Sequence, residues 1–107
     1  MFGRKKANKL IEDIDRYFDL MDQSVLAFKD GVRNYLYSNN DDFNGNLKKM
    51  SDLESETEVL RREIENGLFT QTALVRSRGD IMRLLEKTRN ITAILYDSLC
   101  QFEIETP

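Results

Sequence analysis

The sequence predicts an all-α protein, an antiparallel three-helix bundle with up-down-up connectivity. Apolar residues recur at steps of three and four along nearly all of the 107 residues, which is the period of an amphipathic helix. Charged residues make up 33% of the chain and proline occurs once, a composition poor in turn residues for a sandwich or barrel. The apolar pattern breaks at two places only. We therefore expect one domain, residues 1–107, built from three helices with short links.

The first helix is predicted over residues 6–38, because its apolar stripe is long and unbroken. The stripe contains Leu10, Ile14, Phe18, Met21, Val25, Phe28 and Val32. The aromatic and methionine residues of this stripe, Phe18 among them, are predicted to pack in the core. A polar run over residues 38–42 ends the helix, and its asparagine and aspartate residues are suited to cap the next one.

The second helix is predicted over residues 41–66. Its stripe contains Phe43, Leu47, Met50, Leu53, Thr57, Leu60, Ile64 and Leu68. Gly67 follows Asn66 at the end of the stripe, and glycine often ends a helix because it adopts the left-handed conformation easily.

The third helix is predicted over residues 78–103. Ser77 and Asp80 form an acidic variant of a capping box, and Asp80 also suits the positive end of the helix dipole. The stripe contains Ile81, Leu84, Thr88, Ile91, Leu95, Leu99 and Phe102.

Composition also excludes several classes of function. The chain has no histidine, which excludes histidine acid–base catalysis and the usual zinc sites. Its one cysteine, Cys100, cannot form an internal disulfide and favours a reducing cytoplasm. No apolar run is long enough to span a membrane, and no secretory signal is recognisable. Because no nucleophile has a recognisable base partner, we expect a protein that is not an enzyme.

The charge is unevenly distributed along the chain. Residues 1–9 carry a charge of +4, and the rest carries −7. Such asymmetry could bring the N-terminus to an anionic membrane surface or to a transporter's cytoplasmic loop, although a solvated tail is the favoured interpretation. Nucleic-acid binding is not expected, because the body of the chain is acidic.

Two short motifs resemble those of a known family. The second helix carries Glu54-Ser55-Glu56-Thr57-Glu58 followed by Arg61-Arg62-Glu63-Ile64, and the third opens with Arg78-Gly79-Asp80-Ile81. Together with the opening Phe2-Gly3-Arg4-Lys5-Lys6, these motifs resemble the PhoU-like regulators, in particular the branch that accompanies Pit-type phosphate transporters. The resemblance implies a PhoU-like, spectrin-like up-down-up bundle. Family members usually contain two tandem three-helix units, so the chain would correspond to the first half.

The resemblance also implies a site. The family is associated with metal clusters held by acidic residues at i and i+4 on two adjacent helices. Glu54 and Glu58 match the second-helix pair, whereas the third-helix positions hold Arg89 and Ala93. We therefore expect a salt bridge between Arg89 and Glu54 or Glu58, since a guanidinium can supply the positive charge that a metal otherwise brings. A divalent or iron ion at Glu54 and Glu58 is the alternative, and no other cofactor is expected.

The arginines of the second and third helices allow a further interpretation, an anion or phosphate site near the start of the third helix. The residues concerned are Arg61, Arg62, Arg76, Arg78, Arg83 and Arg89. Ordinary surface charge is the favoured interpretation, because Glu58 and Arg62 are spaced for a salt pair within one helix.

The expected function follows from the resemblance. The chain would be a cytoplasmic regulator or accessory protein of inorganic phosphate transport, peripheral to the inner face of the membrane. It would act by contact with a transporter or another membrane protein, and it would form a homo-oligomer. The alternative is a structural module that self-associates through an unfilled apolar edge, without a phosphate role.

Overall fold

The computed structural model describes the backbone of residues 2–70 and 78–105, and the side chains of residues 8–70 and 78–103. It contains three α-helices, α1 (Phe2–Leu36), α2 (Asn40–Thr70) and α3 (Arg78–Glu105). The described part of the chain is helical outside the short α1–α2 link, which confirms the predicted all-α three-helix bundle. The bundle is a rod about 58 Å long. The side chains of Arg4, Lys5 and Lys6 and the predicted cap at Ser77 lie outside the described residues, whereas Lys9 pairs with Asp13 at 3.1 Å.

The link between α1 and α2 is a tight turn with a defined hydrogen-bond pattern. Ser38 has a φ of 59°, the left-handed conformation. The Ser38 amide donates to the Tyr35 carbonyl at 3.1 Å, and the Asn39 amide donates to the Asn34 carbonyl at 2.8 Å. This pair of bonds satisfies carbonyls at the helix end. Helix α1 therefore ends at Leu36, two residues before the predicted boundary.

Helix α2 continues past its predicted end. Gly67 lies inside the helix and has no positive φ, so the interpretation of this glycine as a helix terminus was wrong. A Cβ at Gly67 would lie 2.9 Å from Leu10 Cδ1. The glycine thus permits close packing of α2 against α1, and the helix ends at Thr70 instead.

The core runs the length of the rod. Its fully buried side chains are Tyr17, Ile64, Leu68, Leu85 and Leu99. The buried Tyr17 hydroxyl donates to the Leu85 carbonyl at 3.1 Å and accepts from Thr88 Oγ1 at 2.9 Å. The tyrosine thus ties α1 to α3 without an unsatisfied polar atom.

Some residues of the predicted core stripes lie at the surface. Phe18 is 37% exposed, whereas its neighbour Tyr17 is fully buried. Val25 on α1 and Leu84 and Ile91 on α3 are exposed as well. The prediction that Phe18 packs in the core was therefore wrong, and α1 is rotated so that Tyr17 faces α3.

No helix within the described residues is both long enough and apolar enough to cross a membrane.

Candidate functional site

The predicted site lies in a groove between α2 and α3. Four charged residues of α2, Glu54, Glu58, Arg61 and Glu65, follow one another at helical spacing and form one stripe beside the core. The buried residues Leu53, Thr57 and Leu60 fix the rotation of α2, so the charged stripe borders the seam with α3.

The groove brings together all four positions that the sequence singled out. It has a volume of about 550 Å³, and Glu54 and Glu58 line one side while Arg89 and Ala93 line the other. Its remaining lining residues are Ser51, Ser55, Thr57, Arg61 and Thr92. The spacing that places positions 89 and 93 opposite positions 54 and 58 is therefore present in the fold.

Arg61 is the main partner of Glu58. Its Nε donates to Glu58 Oε2 at 3.1 Å, and its Nη2 donates to Glu58 Oε1. Its third nitrogen, Nη1, donates to Glu65. The Arg61 side chain is only 14% exposed, so this forked contact is shielded from solvent. The sequence analysis considered Arg61 only for an anion site and paired Glu58 with Arg62, because a spacing of four residues favours a salt pair within one helix.

Two more arginines approach Glu58 from solvent. Arg89 Nε on α3 lies 3.6 Å from Glu58 Oε2, and Arg62 Nε lies 3.5 Å from Glu58 Oε1. Both side chains are more than half exposed. Of the two glutamates considered for Arg89, Glu58 is the one that it contacts, and the contact is longer than a direct hydrogen bond.

These contacts determine the ionisation of the groove. The Arg61 hydrogen bonds hold the pKa of Glu58 below its usual value, and the charges of Arg89 and Arg62 add to the effect. The same pairing raises the pKa of Arg61. A carboxylate held ionised in this way has no proton to donate near neutral pH. The Arg61 hydrogen bonds all lie within α2, so the network is suited to presenting fixed charge at the seam with α3.

The side chains of the groove do not fit a cluster of metal ions. Hard cations require several carboxylate or carbonyl oxygens around one point. Here Arg61 engages Glu58, and α3 presents a guanidinium and a methyl group at positions 89 and 93. Among the described side chains, no three His, Cys, Asp or Glu residues converge. The residues therefore favour internal charge pairing over metal coordination.

The motif residues at the start of α3 lie away from the groove. Arg78 Nε donates to the Leu68 carbonyl at 2.8 Å, and its guanidinium lies 5.7 Å from the centroid of the Phe69 ring. Arg78 thus satisfies a carbonyl in the last turn of α2. Asp80 is exposed and lies 3.6 Å from Arg83.

The six arginines considered for an anion site do not form one cluster. Arg61, Arg83 and Arg89 line a second depression beside the groove, together with Glu65 and Glu86. Arg78 binds the end of α2, and Arg76 lies outside the described residues. Because carboxylates line the same depression as the arginines, the structure favours surface charge balance.

One polar atom beneath the groove lacks a partner. Thr57 is 4% exposed, and its Oγ1 has no hydrogen-bond partner among the described residues. The buried threonines Thr88 and Thr92 differ, because Thr88 Oγ1 donates to the Tyr17 hydroxyl and Thr92 Oγ1 donates to the Arg89 carbonyl. No sequence signal distinguishes Thr57 from these residues.

The fold and the groove define a class: a three-helix bundle whose α2–α3 seam carries a paired-charge network. In sequence the chain is similar to a UPF0111 protein from Thermotoga maritima, with 27% identity over 90 residues. The alignment covers 84% of this chain and 42% of the relative, so the chain spans less than half of that protein's length. No protein-family model matches the sequence, and no solved structure matches it.

Proposed function

We propose that this protein is a non-enzymatic regulator or accessory protein of inorganic phosphate transport. It belongs, in this proposal, with the PhoU-like proteins of Pit-type transporters and acts by contact with the cytoplasmic surface of a transporter. The observation that carries the proposal is the groove. Glu54 and Glu58 face positions 89 and 93 across one seam, the arrangement that the PhoU-like resemblance requires.

The surface available for a partner is the outer face of α2. Asp52, Glu56 and Glu63 are exposed there and follow one another at helical spacing. Glu56 also pairs with Arg16 of α1 at 2.8 Å, and both side chains are exposed. Exposed carboxylates of this kind suit a basic cytoplasmic loop of a membrane protein.

The test is phosphate uptake by the native host. Deleting the gene is expected to change the uptake of radiolabelled inorganic phosphate, and the wild-type gene is expected to restore it. The variant Asp52→Lys/Glu63→Lys should fail to restore it. The control Asp19→Lys/Asp97→Lys changes the same charge at exposed sites on α1 and α3 and should restore it fully.

A structural module without a phosphate role is the second candidate. It is favoured by the exposed apolar residues of α1 and α3. Uptake that is identical in the deletion strain and the wild type, at both high and low external phosphate, would support this candidate and contradict the regulator.

A further inference from the structure

The two glutamates of the groove differ in their counter-charges. Glu58 has three arginines beside it, namely Arg61, Arg62 and Arg89. Glu54 lines the same groove, but among the described side chains no cation lies within ion-pair distance of it. The groove is therefore balanced in charge at its Glu58 end, and it carries an unpaired carboxylate at the other end.

The register of α2 and α3 defines what lies opposite this carboxylate. Arg89 contacts Glu58, and seven residues further along α3 the Tyr96 hydroxyl contacts Ser51, which lies seven residues earlier on α2. The two helices therefore run antiparallel past each other. Ala93, four residues after Arg89, lies opposite the unpaired carboxylate. A methyl group there leaves room in the groove for a group from outside.

Both helices are acidic around this point. Residues 50–60 of α2 and residues 90–105 of α3 contain no lysine or arginine. Their acidic residues are Asp52, Glu54, Glu56 and Glu58 on α2, and Asp97, Glu103 and Glu105 on α3. Glu56 pairs with Arg16, but that arginine belongs to α1 and does not line the groove. This end of the groove therefore attracts a cation and repels an anion.

Thr57 provides an independent observation in the same groove. It belongs to the groove wall and is 4% exposed, and its Oγ1 has no partner among the described residues. Other buried hydroxyls of the bundle are satisfied within their own helix. Ser24 donates to the Leu20 carbonyl, and Thr92 donates to the Arg89 carbonyl. Because a buried hydroxyl without a partner costs stability, its presence here indicates a hydrogen bond to a group that enters the groove.

We propose that the groove receives the ammonium group of a lysine side chain from the basic cytoplasmic loop of the transporter. The inference rests on the proposed function, which supplies that loop. Glu54 provides the counter-charge, and Thr57 Oγ1 and the groove-lining Ser55 hydroxyl accept hydrogen bonds from the ammonium group. The apolar stem of the lysine lies along the methyl group of Ala93.

Lysine suits these acceptors better than arginine does. An ammonium group has three donors that point in different directions, which matches oxygens on three separate side chains of α2. The planar guanidinium of arginine favours two acceptors in one plane, as a single carboxylate offers. The groove already holds such a pair, formed by Arg61 and Glu58.

The experiment is an NMR titration of the whole, isotope-labelled protein with Nα-acetyllysine methylamide. This probe carries the lysine side chain without a free α-amino or carboxyl group. It is expected to shift the amide resonances of Ser55, Thr57 and Ala93 in a saturable manner. The norleucine analogue lacks only the ammonium group and should leave these resonances unchanged. The arginine analogue should bind more weakly than the lysine probe.

Two variants assign the contacts. Glu54→Gln should weaken binding of the lysine probe by about tenfold or more, because the counter-charge is lost. The control Glu12→Gln removes the same charge from an exposed position on α1 and should bind like the wild type. Thr57→Val should bind the probe more weakly although it unfolds at higher urea, a combination that a purely structural threonine would not produce.

Several results would overturn the proposal. They are the absence of saturable shifts in the groove, equal binding of the norleucine analogue, and unchanged binding by Glu54→Gln. Equal binding of the arginine analogue would overturn the choice of lysine, and unchanged binding by Thr57→Val would overturn the role of Thr57.

The phosphate role and the lysine site can fail separately. If phosphate uptake depends on the gene but the probe does not bind in the groove, the lysine site is wrong and the proposed function is retained. If the probe binds in the groove but uptake is the same in the deletion strain and the wild type, the lysine site is retained and the transporter is not its source.

Discussion

Arg61 and Glu58, three residues apart on α2, form a two-point contact between a guanidinium and a carboxylate. Such forked pairs are stronger and more directional than single-point ion pairs. The Arg61 side chain is 14% exposed, whereas that of Arg62, which approaches the same carboxylate, is 71% exposed. The two arginines therefore allow a matched comparison.

Arg61→Met is expected to lower the free energy of unfolding by about 1–3 kcal/mol, because it leaves two partly buried carboxylates without their hydrogen-bond donor. Arg62→Met should change it by no more than about 0.5 kcal/mol, since exposed ion pairs contribute little. Urea unfolding followed by circular dichroism measures both. Equal losses for the two variants would contradict the assignment of Arg61 as the main partner.

Acid should weaken the fold through Glu58. The pKa of Glu58 is lowered in the folded protein, so its carboxylate stabilises the fold above its unfolded pKa of about 4.3. That contribution is lost as the pH falls through the folded pKa. Glu58→Gln should therefore flatten the pH dependence of the unfolding free energy below about pH 5. In an Arg61→Met background the same substitution should have a much smaller effect on the slope. If Glu58→Gln in the wild-type background leaves the pH dependence of the unfolding free energy unchanged, Glu58 is not the source of the acid sensitivity.

A metal site should appear when carboxylates replace the α3 residues of the groove. Arg89→Asp/Ala93→Asp would place four acidic side chains around the seam, with the negative charge and oxygen ligands that a hard divalent cation prefers. We expect this variant to bind Mn²⁺ in titration calorimetry, and the isosteric control Arg89→Asn/Ala93→Asn to bind it far more weakly. Equal binding by the wild type would show that the paired arginines do not substitute for metal.

Helical periodicity was sufficient to predict the number and order of the helices, but not their rotation. Tyr17 and Phe18 both continue a three-and-four pattern from Leu10, so the pattern alone cannot decide which of them is buried. In the structure Tyr17 is the buried residue of the two, and its hydroxyl forms hydrogen bonds with the Leu85 carbonyl and with Thr88 Oγ1 on α3. That contact spans 68 residues of sequence or more and has no local signal.

The position of the groove was predicted from the sequence, but the charge pairs inside it were predicted only in part. The family resemblance placed residues 54, 58, 89 and 93 together, whereas Arg61 was considered only for an anion site and not as the partner of Glu58. A glutamate can reach arginines at both i+3 and i+4, and Arg61 is the one directed towards the seam. Gly67 was likewise not predictable from local sequence. A glycine can end a helix or allow close packing of another helix, and which of the two applies depends on the residue opposite it. Leu10 of α1 lies opposite Gly67.

Two glycines inside helices should respond oppositely to alanine. A Cβ at Gly31 would lie 2.7 Å from Leu99 Cδ2, and Leu99 is fully buried. Gly31→Ala should therefore cost about 1–3 kcal/mol through overpacking. Gly45 has nothing within 4 Å of its would-be Cβ, so Gly45→Ala should stabilise the fold by about 0.5–1 kcal/mol through helix propensity. Thermal unfolding of the two variants checks both signs, and a Gly31→Ala protein as stable as the wild type would show that the helices can separate without cost.

Thr57 and Thr88 are both buried threonines, but only Thr88 has its hydroxyl satisfied. Thr57→Val removes an unpaired buried oxygen without changing the shape of the side chain, and valine and threonine have similar helix propensities. The variant should therefore unfold at higher urea, with a gain of about 1 kcal/mol. Thr88→Val instead removes a donor to the buried Tyr17 hydroxyl and should lose about the same amount. If Thr57→Val were as destabilising as Thr88→Val, Thr57 would have a hydrogen-bonding role in the folded protein, and a partner from outside the described residues would be required to explain it.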